Sequence, residues 1–231
     1  MGWIGDVLAW FGNPQNWQGP NGIPQRLIEH VGVSAAALGI ACALAIPIAL
    51  WLGHLHRGGG LAVAVSNVGR AVPTFAVLVI LVLLPDPFGL STLSILTALV
   101  LFAIPPILTN TYVGVREADP AAVDAARGMG MSGPQVLFRV ELPLATGLLM
   151  DGVRLAAVQV IATATIAALV AGGGLGAIIT DGFGRQDQAE VIGGAICVLV
   201  LALSVEGGMA LLQRRVDPLR AVRERSLVAA A

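Results

Sequence analysis

The run VGVSAAALGIACALAIPIALWLG, residues 31–53, carries no charged side chain from end to end. A helix needs about 20 mostly apolar residues to cross the hydrocarbon of a bilayer, and this run supplies them. Four further runs have the same character, at about 63–85, 91–113, 144–171 and 191–212. The second begins somewhere between Leu61 and Ala71, because Arg70 blurs its start; the fourth has Asp151 and Arg154 near its beginning. The pattern predicts an all-α integral membrane protein with five transmembrane helices, spanning 31–213 as one domain, with no soluble domain and no internal repeat.

Composition agrees. The chain has 231 residues, 56% hydrophobic and only 12% charged, with a mean hydropathy of +0.84. Soluble domains average about 25% charged residues, so this chain has too little polar surface to face water on all sides. Disorder and an ordinary cytosolic enzyme are excluded on that ground. All 13 basic residues are arginine. Without lysine there is no phosphate-binding Gly-Lys-Ser/Thr loop and no lysine base or Schiff base. If the chain takes part in energy-dependent work, the nucleotide must bind elsewhere. The net charge of −1 does not point to nucleic acid. Cys42 and Cys197 lie in apolar runs and read as small hydrophobes rather than as a disulfide or metal pair.

Arginine bias predicts orientation. The tail at 214–231 carries Arg214, Arg215, Arg220, Arg223 and Arg225. Placing it in the cytoplasm and counting back through five spans puts the long polar insertion at 116–143 inside, with Arg116, Arg127 and Arg139, and the turn bearing Arg57 inside as well. The outer side receives Arg26 and Arg185. The N-terminus is then outside, and residues 1–30 form an extracytoplasmic segment. Trp3, Trp10 and Trp17 in that segment suit a short helix lying at the membrane interface. Asp6 and the absence of a basic flank make it a poor signal peptide. Pro47, Pro73 and the Pro105-Pro106 pair predict kinks or breaks in three spans, of the kind that can line a pathway.

The insertion contains DAARGMGMSGPQVLFRVELP at 124–143. Its small-residue face at Ala125 and Ala126, a chain reversal at Gly130, a cap at Ser132 with Gln135 three residues on, and Pro143 beyond describe an amphipathic helical knuckle. A second helix here is expected to stop at Pro143, which redirects the chain into the fourth span. Asp119 or Asp124 suits a helix start.

This stretch resembles the EAA loop of ATP-binding cassette (ABC) importer permeases: Glu-Ala-Ala, three residues, Gly, nine residues, Ile-x-Leu-Pro. Asp124 replaces Glu and Val140 replaces Ile; the spacing is kept. The resemblance implies a type I importer-like fold, with a coupling helix between the third and fourth spans that docks on a cytoplasmic ATPase dimer. By match, Asp124, Ala125, Ala126 and Gly130 would form the docking turn, and Val140, Leu142 and Pro143 would tie it to the fourth span. A finer resemblance is to permeases for glycine betaine, choline and carnitine. It is carried by Arg70-Ala71-Val72-Pro73-Thr74, Asn110-Thr111-Tyr112-Val113-Gly114 and Gly172-Gly173-Gly174-Leu175-Gly176. Methionine importer permeases share much of this layout and remain the alternative. The family implies a second permease subunit, identical or not, an extracytoplasmic binding protein, a bacterial plasma membrane, and ATP with Mg on the partner ATPase rather than a cofactor here.

Pro73, Asn110, Tyr112, Gln159, Thr163, Thr165, Gly173, Gly174 and Glu206 are candidate pathway or gate residues. Gln159, Thr163 and Thr165 either line a pathway or hydrogen-bond between helices. Glu206 is the acid well inside a span, where pairing with a nearby arginine competes with a functional role. Asp151 and Arg154, three apart, are expected to pair locally. His54 and His56 read as solvated headgroup contacts, not a metal site. One Tyr and four Trp, three of them N-terminal, give little material for an aromatic cage around a quaternary ammonium. An intramembrane enzyme would need a catalytic pair that the spans lack. An ion channel would need rings of charge.

Overall fold

The computed structural model describes residues 2–171 and 173–217, with side chains for all of these except 61–63, 66, 68, 70 and 171. Gly172, the arginine-rich tail from 218 onward and the Arg70 side chain lie outside the described residues. The elements are α1 (Trp3–Gly12), a 3₁₀ turn (Pro14–Trp17), α2 (Ile23–His54), α3 (Gly59–Ala71), α4 (Thr74–Leu83) and α5 (Thr92–Arg116). They continue with α6 (Pro120–Gly128), α7 (Gly133–Val136), a π-helical turn (Leu137–Glu141), α8 (Leu142–Ala171), α9 (Gly174–Arg185) and α10 (Gln188–Val216). No strand occurs among the described residues.

Four helical stretches are long and apolar enough to cross a membrane: α2, α5, the stretch from α7 through α8, and α10. The second apolar run is not one helix. It is divided into α3 and α4 at Val72-Pro73, where proline lacks an N–H and disfavours helical backbone in the residue before it. Pro47, Pro105 and Pro106 instead lie inside continuous helices. One freed carbonyl is served from a neighbouring helix. Pro106 cannot donate to the Phe102 carbonyl, and Gln159 Nε2 does so from α8 at 3.3 Å.

The chain forms two compact units, each built from parts of the four long stretches. The first comprises Met1–Ile40, Val72–Ala103 and Ala157–Val205. One of its cores sets Leu78, Ala98 and Ala167 against Leu81, Ile95 and Val170. Another gathers Ile23, Leu175 and Ile178 with Trp10, Phe11, Cys197, Val198 and Leu201. The N-terminal segment is therefore packed into this unit. Trp10 lies against Gly193, and Trp17 Nε1 donates to the Phe11 carbonyl at 2.7 Å. Val7 is buried, whereas Trp3, Ile4 and Leu8 are exposed, apolar surface suited to an interface.

The second unit comprises Ala41–Ala71, Ile104–Ala156 and Glu206–Ala231. Leu50, Val115 and Ala145 pack with Ile46, Leu137 and Leu142. Close approach of α5 and α8 depends on Gly152: a Cβ there would fall 2.7 Å from the Pro106 carbonyl oxygen. Along α2, Ala37, Ala41, Ala45 and Ala49 recur every fourth residue and are all at most 1% exposed. Lipid chains are as apolar as leucine, so helices in a bilayer associate through close backbone packing, which such small residues allow.

Candidate coupling site

The polar insertion folds into a compact knuckle within the second unit. Asp119 starts α6: its carboxylate accepts from the Ala121 N–H at 2.9 Å, and Pro120 occupies the first helical turn, where no N–H is needed. Helix α6 ends at Gly128 with Met129 as its cap, and the chain reverses at Gly130, whose φ is +81°. That left-handed conformation is open to glycine at little cost. Ser132 begins the next helix, and Gln135 Oε1 accepts from the Ser132 N–H at 2.8 Å.

The knuckle has a core of its own. Ala118, Val123, Ala126 and Val136 are buried together, with Met131, Val140 and Leu144 against them. Ala126, expected in the docking turn, is 2% exposed and packs into this core. The outward surface consists of Asp124, Ala125, Arg127, Gly128, Met129 and Gly130, all exposed. Met129 is 72% exposed, an apolar tip on a polar turn.

Pro143 does not stop the second helix. Helix runs from Gly133 through the π turn into α8. A proline ring clashes with the carbonyl four residues back, and widening to a π turn immediately before it relieves that clash. Leu142 packs against Leu50 and Val115, and Val140 against the knuckle core, so both anchor the loop to its base.

Within the π turn, Glu141 is 1% exposed. His54 Nδ1 donates to its Oε2 at 2.6 Å. The expectation that His54 contacts headgroups is thus corrected: it hydrogen-bonds a carboxylate 87 residues away in sequence. His56 is exposed and turns back to the His54 carbonyl.

The remaining candidates separate into several groups. Tyr112 is 3% exposed and its hydroxyl accepts from Arg116 Nη1 at 3.0 Å. Asn110 Nδ2 donates to the Pro106 carbonyl at 2.8 Å. Pro73 is exposed at the start of α4, and Thr163 is buried. Glu206 accepts from Arg154 Nε at 2.7 Å and also from Nη2. Asp151 instead accepts from Gln213 Nε2 at 2.8 Å. In place of the hydrogen bond expected between Asp151 and Arg154, each residue bonds from α8 to α10.

The glycine-rich run is held by residues that the motif reading passed over. Glu29 Oε2 accepts from the Gly174 N–H at 3.1 Å and from Arg26 Nη1 at 3.1 Å. His30, 2% exposed, accepts from the Leu175 N–H at Nδ1 and donates from Nε2 to the Ile161 carbonyl. Thr165 Oγ1 donates to the same carbonyl. Unpaired N–H groups at the start of α9 are thereby satisfied by two side chains of α2. Gly173 and Gly174 line a cavity of about 300 Å³ with Arg26, Glu29, His30 and Thr92. The charged residues flanking the first apolar run were the available signal, since Glu29 and His30 sit one after the other at its edge.

The chain belongs to the family described as binding-protein-dependent transport system inner membrane component, whose model matches residues 45–218. It is a permease subunit of an ABC importer, and in this family the ATPase is a separate subunit. The carnitine transport permease protein OpuCB of Listeria monocytogenes is 37% identical over 197 residues, covering 85% of this chain and 88% of the relative. The glycine betaine/carnitine/choline transport system permease protein OpuCB of Bacillus subtilis (strain 168) is 30% identical over 190 residues, covering 82% and 86%. Among solved structures, the inward-facing MetNI methionine ABC transporter matches with a TM-score of 0.72 at 18% identity, over 84% of this chain and 96% of that one; this likeness concerns the fold.

Proposed function

We propose that this permease forms half of the translocation pathway of an importer for osmoprotectants such as glycine betaine, choline or carnitine. The observation that carries this reading is the extended identity, over four fifths or more of the chain, to permeases named for those compounds. The knuckle is the docking element for an ATPase dimer: Asp124, Ala125 and Gly130 form its contact surface, Ala126 shapes that surface from beneath, and Val140, Leu142 and Pro143 carry its movement into α8. A second permease completes the pathway, and an extracytoplasmic binding protein delivers the substrate. The protein sits in the bacterial plasma membrane with residues 1–30 outside and 214–231 inside. Support for this orientation is the charge partition: of the 13 arginines, the first unit holds only Arg26 and Arg185, and the second holds the rest.

Gly173, Gly174, Thr163 and Thr165 belong to the gate side of the pathway. Asn110, Tyr112, Gln159 and Glu206 shape the helices around it, since their polar groups are engaged by neighbours in the chain. The test is co-purification with the ATPase, then uptake by the reconstituted complex. Labelled glycine betaine, choline or carnitine should accumulate with ATP. Accumulation of methionine in their place would reassign the permease to amino-acid transport, and accumulation without ATPase would overturn the reading altogether.

A further inference from the structure

The Glu141 carboxylate is costly where it stands. It is almost completely buried, and while Oε2 accepts from His54, Oε1 is buried without a hydrogen-bond partner. A carboxylate in an apolar setting is favourable only when its acceptor capacity is met. Here half of that capacity is unused, and an apolar residue of similar volume at such a position is often neutral or stabilising. Stability alone therefore does not account for a carboxylate here.

Its location suggests what does. Glu141 ends the π turn that joins the knuckle to α8. A π turn replaces the regular ladder with wider bonds, so it is the compliant part of that connection. The apolar cluster of Ile46, Leu50, Val115, Leu137 and Leu142 also holds the base of the knuckle. Apolar contact is non-directional, however, and allows sliding. The His54–Glu141 hydrogen bond is short and directional, and His54 is the last residue of α2. It fixes the turn to the end of a different membrane helix from the one the chain runs into.

We infer that Glu141 and His54 are positioning residues that deliver displacement of the knuckle to α2, so that α2 and α8 move together when the ATPase subunits close. The inference rests on the proposed docking of the knuckle on an ATPase. The experiment uses the complete reconstituted complex and reads both ATP hydrolysis and substrate uptake. Glu141→Leu removes the carboxylate and leaves the partly exposed His54 ring without its partner. It should co-purify with the ATPase as the wild type does, and hydrolyse ATP, while uptake per ATP falls about tenfold, within the range for mutations along coupling networks. Glu141→Gln keeps an oxygen acceptor for His54 and should retain most of the coupling.

The double variant E141L/H54L lacks both polar groups, so its assembly does not depend on an unpaired charge. It should lose no more than E141L alone, as expected when two residues act through one contact. Wild-type uptake per ATP in E141L would overturn the inference, as would losses that multiply in the double variant or an E141Q as uncoupled as E141L. A wild-type complex that does not couple hydrolysis to uptake would instead overturn the proposed function on which it rests.

Discussion

Gly130 turns the knuckle with φ +81°, and nothing lies within 4 Å of the Cβ it lacks. A side chain there meets no clash inside the chain, but its backbone is strained by about 1–2 kcal/mol. Asparagine tolerates this conformation better than alanine. Gly130→Asn should therefore keep more uptake than Gly130→Ala. Gly130→Leu, which adds bulk on the docking surface, should lose more uptake than Gly130→Ala at a similar thermal midpoint. Equal uptake in all three would remove Gly130 from the interface. The role of this glycine in the turn was legible because it depends on its immediate neighbours, as was the capping box of Ser132 and Gln135. The His54–Glu141 and Arg154–Glu206 pairs were not, because their members lie 87 and 52 residues apart and sequence spacing reports only the local turn. The burial of Ala126 was not legible for a related reason. Small residues suit a docking face and a tight core equally well, and the pattern alone does not say which.

The prolines show how elements are decided by their surroundings. Pro73 ends a helix, whereas Pro106 sits inside one whose deprived acceptor, the carbonyl of the buried Phe102, is served by Gln159. Side chains of neighbouring helices commonly restore such groups in a membrane. Gln159→Leu should leave that carbonyl unpaired and destabilise the protein by about 1–3 kcal/mol, read as a lower midpoint of thermal unfolding in detergent. In a Pro106→Ala background the backbone N–H returns to the carbonyl, and the same Gln159→Leu change should then cost much less. If both backgrounds lose equally, Gln159 has another task. Elements α8 and α10 are joined by a similar device. Glu206→Leu strands the Arg154 guanidinium and should lower the yield of monodisperse protein, whereas the R154L/E206L pair should recover it. Four of the five expected spans were legible from hydropathy. The break in the second was legible as a proline but not as a division into two helices, since Pro47 gives the same local signal and does not divide its helix.

At the scale of the molecule, the apolar surface and the charge partition govern how the chain sits in its membrane. Leu199, Val200, Leu203 and Leu211 of α10 are each more than half exposed, a face suited to lipid or to a second permease. Arginine is costly to carry across a bilayer and is retained on the cytoplasmic side. The unit that holds the knuckle has nearly all of the arginines, and the unit that holds α1 has two. The knuckle tip and the N-terminal helix should therefore report opposite faces of the membrane. Met129 and Trp3 are 72% and 64% exposed, so cysteines placed there should react readily with a membrane-impermeant maleimide. Cys42 and Cys197 are half-buried and small, and their replacement by alanine supplies the background. In intact cells Trp3→Cys should be labelled and Met129→Cys should not; once the membrane is opened, both should be. Labelling of Met129→Cys from outside would invert the topology and remove the knuckle from reach of any cytoplasmic ATPase. Protection of both positions in intact cells would place an even number of crossings between them, which requires that α3 and α4, interrupted at Pro73, do not together complete a span.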